Sequence, residues 1–351
     1  MKISQRTARI TPSITLGLNA RALELERQGM DLVKLGVGEP DIDTPETVCD
    51  AGRRAIDRRE LRYTPTAGTA ELRRAVCGFL KAAYGMEYTP AEVMASSGAK
   101  HSLFNAVAAM TDPGDEVIIP APYWVSYPEM VAIADGIPRF VETPKEHGFK
   151  LRPELLEAAL TPRTAAIFLN SPSNPTGVAY TRQELEALAE VLRPRDIWVL
   201  SDEIYGSILF DGFPFASMAR VPGMRDRTVV VNGVSKTFSM TGWRIGFAAG
   251  PEPIIKAMTR LQDHTTSCPS ALSQAAAASA LAAGPALTTA WVEGLQARRD
   301  LMLDLLREIP GMDCPVPQGA FYLWADVRPW LAPRTRFPDT LALCEHLLLD
   351  A

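Results

Sequence analysis

Cysteine and histidine are both scarce in this chain of 351 residues. The five cysteines are odd in number and scattered, which argues against a disulfide framework. The four histidines form no close group with cysteine or glutamate, so the spacing typical of a metal site is missing. These scarcities disfavour the disulfide-stapled and metal-centred classes of protein.

Long apolar runs and an excess of basic charge are missing as well. No run approaches the roughly 18 residues of a membrane span, and residues 1–6 lack the apolar core of a signal peptide. Lys and Arg number 36 against 41 Asp and Glu, and no dense basic patch suits a nucleic-acid partner. The content of 47% hydrophobic and 22% charged residues is that of a soluble globular protein. We therefore expect a cytoplasmic protein with no nucleic-acid and no membrane partner.

Short apolar runs alternate with amphipathic segments from about residue 93 to residue 249. This alternation predicts an α/β fold with a mostly parallel central sheet and helices on both faces. Two more strands are predicted at residues 32–35 and 319–325, outside the alternating region. Residues 270–308 are rich in alanine and are predicted to form a helical bundle.

Lys236 follows the β-branched run at residues 228–231, which is typical of a buried strand. At the mouth of an α/β sheet such a lysine can lose solvation, drop its pKa and act as a nucleophile. A solvated lysine in a polar turn is the plain alternative. Polar residues also follow the other predicted strands, at the sheet edge where ligands bind: Ser97, Gly98, Ala99, Asn174, Asp202, Tyr205 and Ser235.

Several familiar motifs fail on these same residues. A P-loop needs glycine where Ser235 and Val230 stand, and a nucleophile elbow needs glycine in place of Thr237. Ser97 and Lys100 match the Ser-x-x-Lys of penicillin-binding enzymes, but no Ser-Asp-Asn or Lys-Thr-Gly follows. The glycines at 36 and 38 open no helix, so a dinucleotide fingerprint is not supported.

One cofactor needs an anion site, an amine and an acid together. The helix that begins near Gly98, Ala99 and Lys100, with Ser235 and Arg244, would hold a phosphate. Pyridoxal phosphate also needs a lysine for its imine and an acid on its ring nitrogen, and Lys236 and Asp202 can supply these. Tyr205 and Asn174 could bond the ring hydroxyl, and Trp124 could stack on the ring face. Singly, Asp202 could be a helix cap, Asn174 part of a plain turn and Trp124 a core aromatic.

Longer motifs extend this pattern over residues 4–330. They are Gly-Glu-Pro-Asp at 38–41, Tyr-Thr-Pro-Thr-Ala-Gly at 63–68, Pro-Tyr-Trp-Val-Ser-Tyr-Pro at 122–128, Asn-Ser-Pro-Ser-Asn-Pro-Thr-Gly at 170–177, Ser-Asp-Glu-Ile-Tyr at 201–205, and the run 235–246. With these motifs the chain resembles the class I, fold-type I aminotransferases, in particular the bacterial aspartate aminotransferase branch.

The resemblance implies a pyridoxal-phosphate-dependent transfer of an amino group between an amino acid and a 2-oxo acid. Lys236 would carry the cofactor as an imine and then move the Cα proton. Gly38, Trp124 and Asn174 would border the substrate's α-carboxylate, and Tyr63 would reach the cofactor phosphate of a neighbouring subunit in a homodimer. Matching positions for an acidic substrate's distal carboxylate are Ser13, Thr15 and Lys100, which implies aspartate or glutamate.

The resemblance also implies a division into domains. Residues 1–45 would form an N-terminal arm and the first part of a small domain, residues 46–285 the large cofactor-binding domain, and residues 286–351 a small C-terminal α/β domain. We expect that last domain to be incomplete, or C-terminally truncated, because the family continues past a segment like residues 341–346.

The family's arginine clamp for the α-carboxylate lies in that continuation, and Arg328, Arg334 and Arg336 do not match its motif. We therefore expect a complete cofactor site within residues 63–244, no clamp, and weak or absent transamination. Two alternatives stay open: another pyridoxal phosphate enzyme (a lyase or decarboxylase) on the same fold, or a cofactor-binding fragment without turnover.

Overall fold

The computed structural model describes residues 1–36, 38–331 and 337–350. These residues form a seven-stranded sheet with the order β1-β7-β6-β5-β4-β2-β3. The strands are β1 Val93–Ser96, β2 Glu116–Ala121, β3 Ile137–Glu142, β4 Thr164–Asn170, β5 Trp198–Asp202, β6 Thr228–Gly233 and β7 Gly246–Ala249. Every neighbouring pair is parallel except those of β7, which runs antiparallel to both β1 and β6. The predicted α/β fold with a mostly parallel sheet is confirmed.

Helices precede, separate and follow the strands. They are α1 Gln5–Ala8, α2 Ile14–Arg27, α3 Glu46–Asp57, α4 Ala70–Tyr84, α5 Ala99–Met110, α6 Ser126–Ile133, α7 Pro153–Ala159, α8 Arg182–Leu192, α9 Val234–Thr237, α10 Glu252–Asp263, α11 Ala271–Ala283, α12 Thr289–Arg307 and α13 Thr340–Asp350. Short 3-10 turns lie at Pro90–Glu92, Lys145–His147, Met218–Arg220, Arg225–Arg227, Pro285–Thr288 and Arg328–Trp330.

The two faces of the sheet are covered by different helices because side chains alternate along each strand. In β6, Val229 and Val231 pack with α5 and α10, whereas Val230 packs with α4 and α11 on the opposite face. All six residues of β6 are buried, as expected for a central strand covered on both sides. The strand that carries Lys236 at its end is therefore in the middle of the core.

Two predicted strands are wrong. Residues 32–35 have no regular structure, and Val33 and Leu35 are largely exposed. Residues 319–325 also form no strand: Gly319 makes one isolated bridge to Leu209, and Ala320 has a φ of +59°. Among the described residues, neither apolar stretch has a neighbouring strand long enough to pair with it, and a strand needs such a partner for its backbone hydrogen bonds.

The alanine-rich region is two helices rather than one continuous bundle. Gly284, with a φ of +73°, ends α11, and the direction changes by 93° before α12. Within the described ranges, no single helix is both long and apolar enough to cross a membrane; the bent pair passes that test on length and composition alone.

Candidate active site

A cavity of about 490 Å³ opens at the carboxyl edge of the parallel strands. Most residues predicted for the site line it: Thr15, Gly38, Ala99, Lys100, Trp124, Asn174, Asp202, Tyr205, Ser235, Lys236 and Arg244. They come from the segments that follow β2, β4, β5 and β6, from the start of α5, from the residues just before β7 and from the N-terminal segment. Parallel strands bring these ends to one edge, which is why residues more than 200 positions apart share one cavity.

Lys236 lies in α9, the single turn that directly follows β6. Its amine donates a hydrogen bond to the carbonyl of Gly38 and lies 5.5 Å from the centre of the Phe321 ring. Burial lowers the pKa of the Lys236 amine to about 8, with the Glu39 carboxylate opposing the shift and the Arg244 guanidinium adding to it. About a tenth of this amine is therefore neutral and nucleophilic at pH 7, far more than for a solvated lysine.

Asp202 ends β5 and is 3% exposed. It accepts a hydrogen bond of 2.7 Å from the Tyr127 hydroxyl and one of 3.3 Å from the amide of Ile204. Burial raises the pKa of the Asp202 carboxyl to about 6. In the described part of the chain, no lysine, arginine or histidine forms an ion pair with it. A carboxyl so placed is ready for a cationic group supplied from the cavity.

Positive charge collects at another wall of the cavity. The pKa of Lys100 is lowered by burial and by the nearby Arg244 guanidinium, and its amine lies 4.8 Å from the centre of the Trp124 ring. Arg244 has a φ of +57° and donates a hydrogen bond of 3.0 Å to the carbonyl of Thr241. A Cβ on Gly98, the N-cap of α5, would overlap its guanidinium. The arginine therefore lies directly against the free N–H groups of a helix start, which is where an anion binds.

Tyr205 and Tyr322 are joined by a hydrogen bond of 2.5 Å between their hydroxyl oxygens. The side-chain amide of Asn174 donates to the Tyr322 hydroxyl at 3.3 Å, and burial raises the pKa of Tyr322 to about 12. The pKa of Tyr205 is raised as well, first by burial and then by the neighbouring Tyr322. Both phenols are therefore protonated at neutral pH and available as hydrogen-bond donors.

These residues fit pyridoxal phosphate. The cavity holds a lowered-pKa amine, a buried carboxyl without a cationic partner, and a helix start beside an arginine and the Ser235 hydroxyl. The cofactor carries groups that match all three: an aldehyde, a protonated ring nitrogen and a phosphate. Among the residues that the structure describes, no group of three or more His, Cys, Asp or Glu is placed to hold a metal ion.

Three predicted site residues do not line the cavity. Ser13 caps α2 and lies 3.1 Å from the Thr15 hydroxyl, which itself lines the cavity. Gly98 stands behind Arg244. Tyr63 is 94% exposed on the outside of this single chain. Of the arginines that do not match the clamp motif, Arg328 pairs with Asp326 at the surface, and Arg334 and Arg336 lie outside the described residues.

The sequence alone missed three contributors: Tyr127, which donates to Asp202; Glu39, which acts on Lys236; and Tyr322. Tyr127 and Glu39 stand inside motifs that carry the family resemblance. Tyr322 stands inside a segment that was predicted only as a strand, so nothing in its local pattern indicated a place in the site.

Comparisons with known proteins agree with this geometry. The family model described as "Aminotransferase class I and II" matches residues 30–349. An aspartate/prephenate aminotransferase of Cereibacter sphaeroides is 49% identical over 93% of this chain and 82% of its own length. An aspartate aminotransferase of Geobacillus stearothermophilus is 45% identical over 93% of this chain and 84% of its own.

Two solved structures have the same fold. The aspartate aminotransferase of Rhizobium meliloti superposes with a TM-score of 0.94 at 44% identity, covering 100% of this chain and 89% of the other. The aspartate aminotransferase of Thermus thermophilus, solved with maleate, gives a TM-score of 0.90 at 45% identity, covering 95% and 87%.

Proposed function

Because this chain belongs to the class I and II aminotransferases, we propose a specific part for each polar group of its cavity in moving an amino group from an acidic amino acid. The reaction class follows from the family: the protein is a pyridoxal-phosphate-dependent aminotransferase that acts on an amino acid and a 2-oxo acid. A lyase or decarboxylase on the same fold, or a chain that binds the cofactor without turnover, is not favoured by these relatives.

The cofactor would be held at three points. Lys236 joins its aldehyde, Asp202 accepts the N–H of its ring nitrogen, and Ser235, Arg244 and the start of α5, with Gly98, Ala99 and Lys100, surround its phosphate. Trp124 would cover the ring face, and Tyr205 and Asn174 would lie beside the ring hydroxyl. The observation that carries this proposal is the pairing, in one cavity, of a lowered-pKa amine with a buried carboxyl that has no cationic partner.

When bound, pyridoxal phosphate supplies an electron-accepting ring that makes the Cα proton of the amino acid acidic. Lys236 would be the base that takes this proton from Cα and returns it. Its pKa of about 8 suits a base that works near neutral pH. Asp202 would stay ionised beside the protonated ring nitrogen and would hold that nitrogen in place by its charge.

We propose aspartate or glutamate as the amino acid. Lys100 and Thr15 line the same cavity as Lys236, and Ser13 lies against Thr15. The lysine would pair with the distal carboxylate, while Gly38, Trp124 and Asn174 would border the α-carboxylate. The Thermus thermophilus relative was solved with maleate, which is a dicarboxylate, and this supports the same substrate class here.

A coupled assay of the cofactor-loaded enzyme with 2-oxoglutarate tests the substrate. Aspartate should be consumed with a kcat/KM well above that of alanine. Lys100→Met, assayed at saturating pyridoxal phosphate because this lysine also borders the phosphate, should lower the value for aspartate about 10- to 100-fold while changing that for alanine little. An equal loss for both amino acids would contradict the distal-carboxylate role. Cofactor colour with no oxo acid formed would contradict the transfer itself.

We also propose a homodimer with shared sites. Tyr63 is 94% exposed and stands beside Leu61, which is 55% exposed, so this edge offers apolar surface for a second subunit. Mixing Tyr63→Phe and Lys236→Ala subunits should restore activity, because one site of each hybrid then carries both native residues. Mixtures no more active than their parents would argue against shared sites.

Two further proposals concern location and domains. All five cysteines are free, as is usual in the reducing cytoplasm, and this supports a cytoplasmic location. The division at residues 45 and 285 is kept as a proposal; Gly284, which ends α11 just before the second boundary, supports it.

A further inference from the structure

We propose that Tyr322 is a positioning residue for the transfer reaction: its hydroxyl donates to the Tyr205 hydroxyl and so directs the Tyr205 proton into the cavity. The inference rests on the part proposed above for Tyr205 beside the cofactor's ring hydroxyl. Nothing in the sequence pattern around residue 322 or in the family resemblance gave this residue a function.

The direction of the hydrogen bonds follows from counting protons. A phenol has one proton to donate and can accept from two donors. Asn174 donates its side-chain N–H to the Tyr322 oxygen at 3.3 Å. In the arrangement proposed above Tyr205 donates its single proton to the ring hydroxyl of the cofactor, so the 2.5 Å hydrogen bond between the two phenols uses the proton of Tyr322.

The rings hold this geometry. Tyr205 and Tyr322 meet edge to face, with centroids 5.6 Å apart and planes at 84°. Tyr205 is 3% exposed, so its hydroxyl has little access to competing water. A hydrogen bond shielded in this way is electrostatically stronger than the same bond in solvent.

The backbone of residues 317–322 lies outside the sheet, and its hydrogen bonds fix the position of Tyr322. Gly319 donates to the carbonyl of Gly177 at 2.9 Å, and Ala320 donates to that of Ile208 at 3.0 Å. Buried Arg299, from α12, donates to the Pro317 carbonyl at 3.2 Å and holds Asp211 through both guanidinium nitrogens. The segment is thus tied to the loops after β4 and β5, which carry Asn174 and Tyr205.

Gly38 completes the placement. A Cβ at residue 38 would overlap the Tyr322 hydroxyl, so this oxygen can reach Tyr205 only because position 38 has no side chain. The carbonyl of the same glycine accepts the hydrogen bond from Lys236. One residue therefore brings the nucleophilic amine and the tyrosine pair together.

The expected consequence is a stronger donor. A donor on its oxygen makes the Tyr205 proton more acidic, so Tyr205 would bind the ring oxygen of the cofactor more tightly. The ring oxygen would then carry less negative charge. It would therefore stabilise less strongly the proton on the nitrogen that joins Lys236 to the cofactor. Loss of the Tyr322 hydroxyl should therefore raise the pH at which this nitrogen loses its proton.

The test is a pH titration of the visible absorbance of the cofactor-loaded enzyme, with equilibrium dialysis of the cofactor as the second readout. Tyr322→Phe should move the titration midpoint upward by about 0.5 to 1 pH unit and weaken cofactor binding about fivefold. Tyr205→Phe should produce a larger shift in the same direction. The double variant should match Tyr205→Phe alone, since Tyr322 acts only through Tyr205.

Tyr123→Phe is the matched control. Tyr123 also lines the cavity, but its ring stacks on Phe140 with centroids 5.0 Å apart, and its hydroxyl takes no part in the Asn174–Tyr322–Tyr205 chain. This variant should titrate like the unaltered enzyme. A Tyr322→Phe midpoint equal to that of Tyr123→Phe, with a normal shift in Tyr205→Phe, overturns the inference alone.

Two other outcomes are also decisive. Full additivity in the double variant would mean that Tyr322 acts on the cofactor by another route, and it overturns the inference. An unshifted Tyr205→Phe overturns the proposed part of Tyr205 and the inference together. Thermal denaturation of each variant separates these outcomes from a folding defect, because Phe keeps the ring packing and should leave the Tm nearly unchanged.

Discussion

Gly246 lies directly against Ala99, so that a Cβ at residue 246 would overlap the amide nitrogen that begins α5. The contact arises because β7 pairs antiparallel with β1, which aligns Gly246 with Ser96 just before that helix. A side chain here would have to push backbone away, and backbone cannot rotate aside as a side chain can. The missing Cβ is therefore what allows the helix start to face the cavity.

We expect Gly246→Ala to displace the start of α5, destabilise the fold by about 2–4 kcal/mol and weaken cofactor binding. The control is Gly78→Ala in the middle of α4, where an added Cβ meets nothing within 4 Å. That variant should be as stable as the parent or up to about 1 kcal/mol more stable, because alanine has a higher helix propensity than glycine. Urea unfolding of both variants measures the contrast, and equal stabilities would contradict this account.

Glu39 should set the working pH of Lys236. Its carboxylate raises the pKa of the amine against the effect of burial, so Glu39→Gln should lower that pKa below about 8. A larger neutral fraction at pH 7 then speeds the reaction of the cofactor-free protein with pyridoxal phosphate. The rate of growth of the visible band, measured from pH 6 to pH 9, gives the midpoint. Glu46→Gln alters an exposed residue that pairs with Arg53, and this control variant should leave the midpoint unchanged.

The ionised form of Asp202 should lower the free energy of unfolding of the cofactor-free protein. Its pKa is raised by burial to about 6, so between about pH 4 and pH 6 the folded state holds a proton that the unfolded chain releases. Stability therefore falls as the pH rises through this window, by about 3 kcal/mol in total. Asp202→Asn should remove that fall and raise the Tm at pH 8, with no gain at pH 4.

Asp202→Asn should also abolish most of the transfer activity. With no negative charge to hold the ring nitrogen protonated, kcat should fall by roughly 10²- to 10³-fold or more. A variant that is both less stable at pH 8 and fully active would contradict the assignment of Asp202. Calorimetry of the cofactor-free protein and a steady-state assay of the loaded one decide the two halves separately.

Glu203, next in the chain, is 1% exposed and accepts hydrogen bonds from the hydroxyls of Ser201 at 2.7 Å and Ser217 at 2.5 Å. Burial raises the pKa of its carboxyl to about 7. Stability should fall between about pH 4.5 and pH 7 for the reason given for Asp202. Glu203→Gln, which can accept the same two hydrogen bonds, should stabilise the protein at pH 8 by about 1–3 kcal/mol. Glu60→Gln, at an exposed position, should change the Tm little at either pH.

Much of the fold and the site could be predicted from local sequence. The β-branched run at residues 228–231, before Lys236, predicted β6. Asp202 and Lys236 were expected in one cavity because polar residues at the ends of parallel strands meet at one edge. These features depend on a few neighbouring residues, and their pattern is therefore visible in the chain itself.

The sequence by itself determined the α/β core, the strand ends that carry Asp202 and Lys236, and the chemistry that these side chains can supply. Only the tertiary structure decided that residues 32–35 and 319–325 are not strands and that Tyr322 lies against Tyr205, 117 positions away. The reason is physical: a strand needs a partner, and a hydrogen bond between distant residues needs a backbone path and the space left at Gly38. Local propensity contains neither of these.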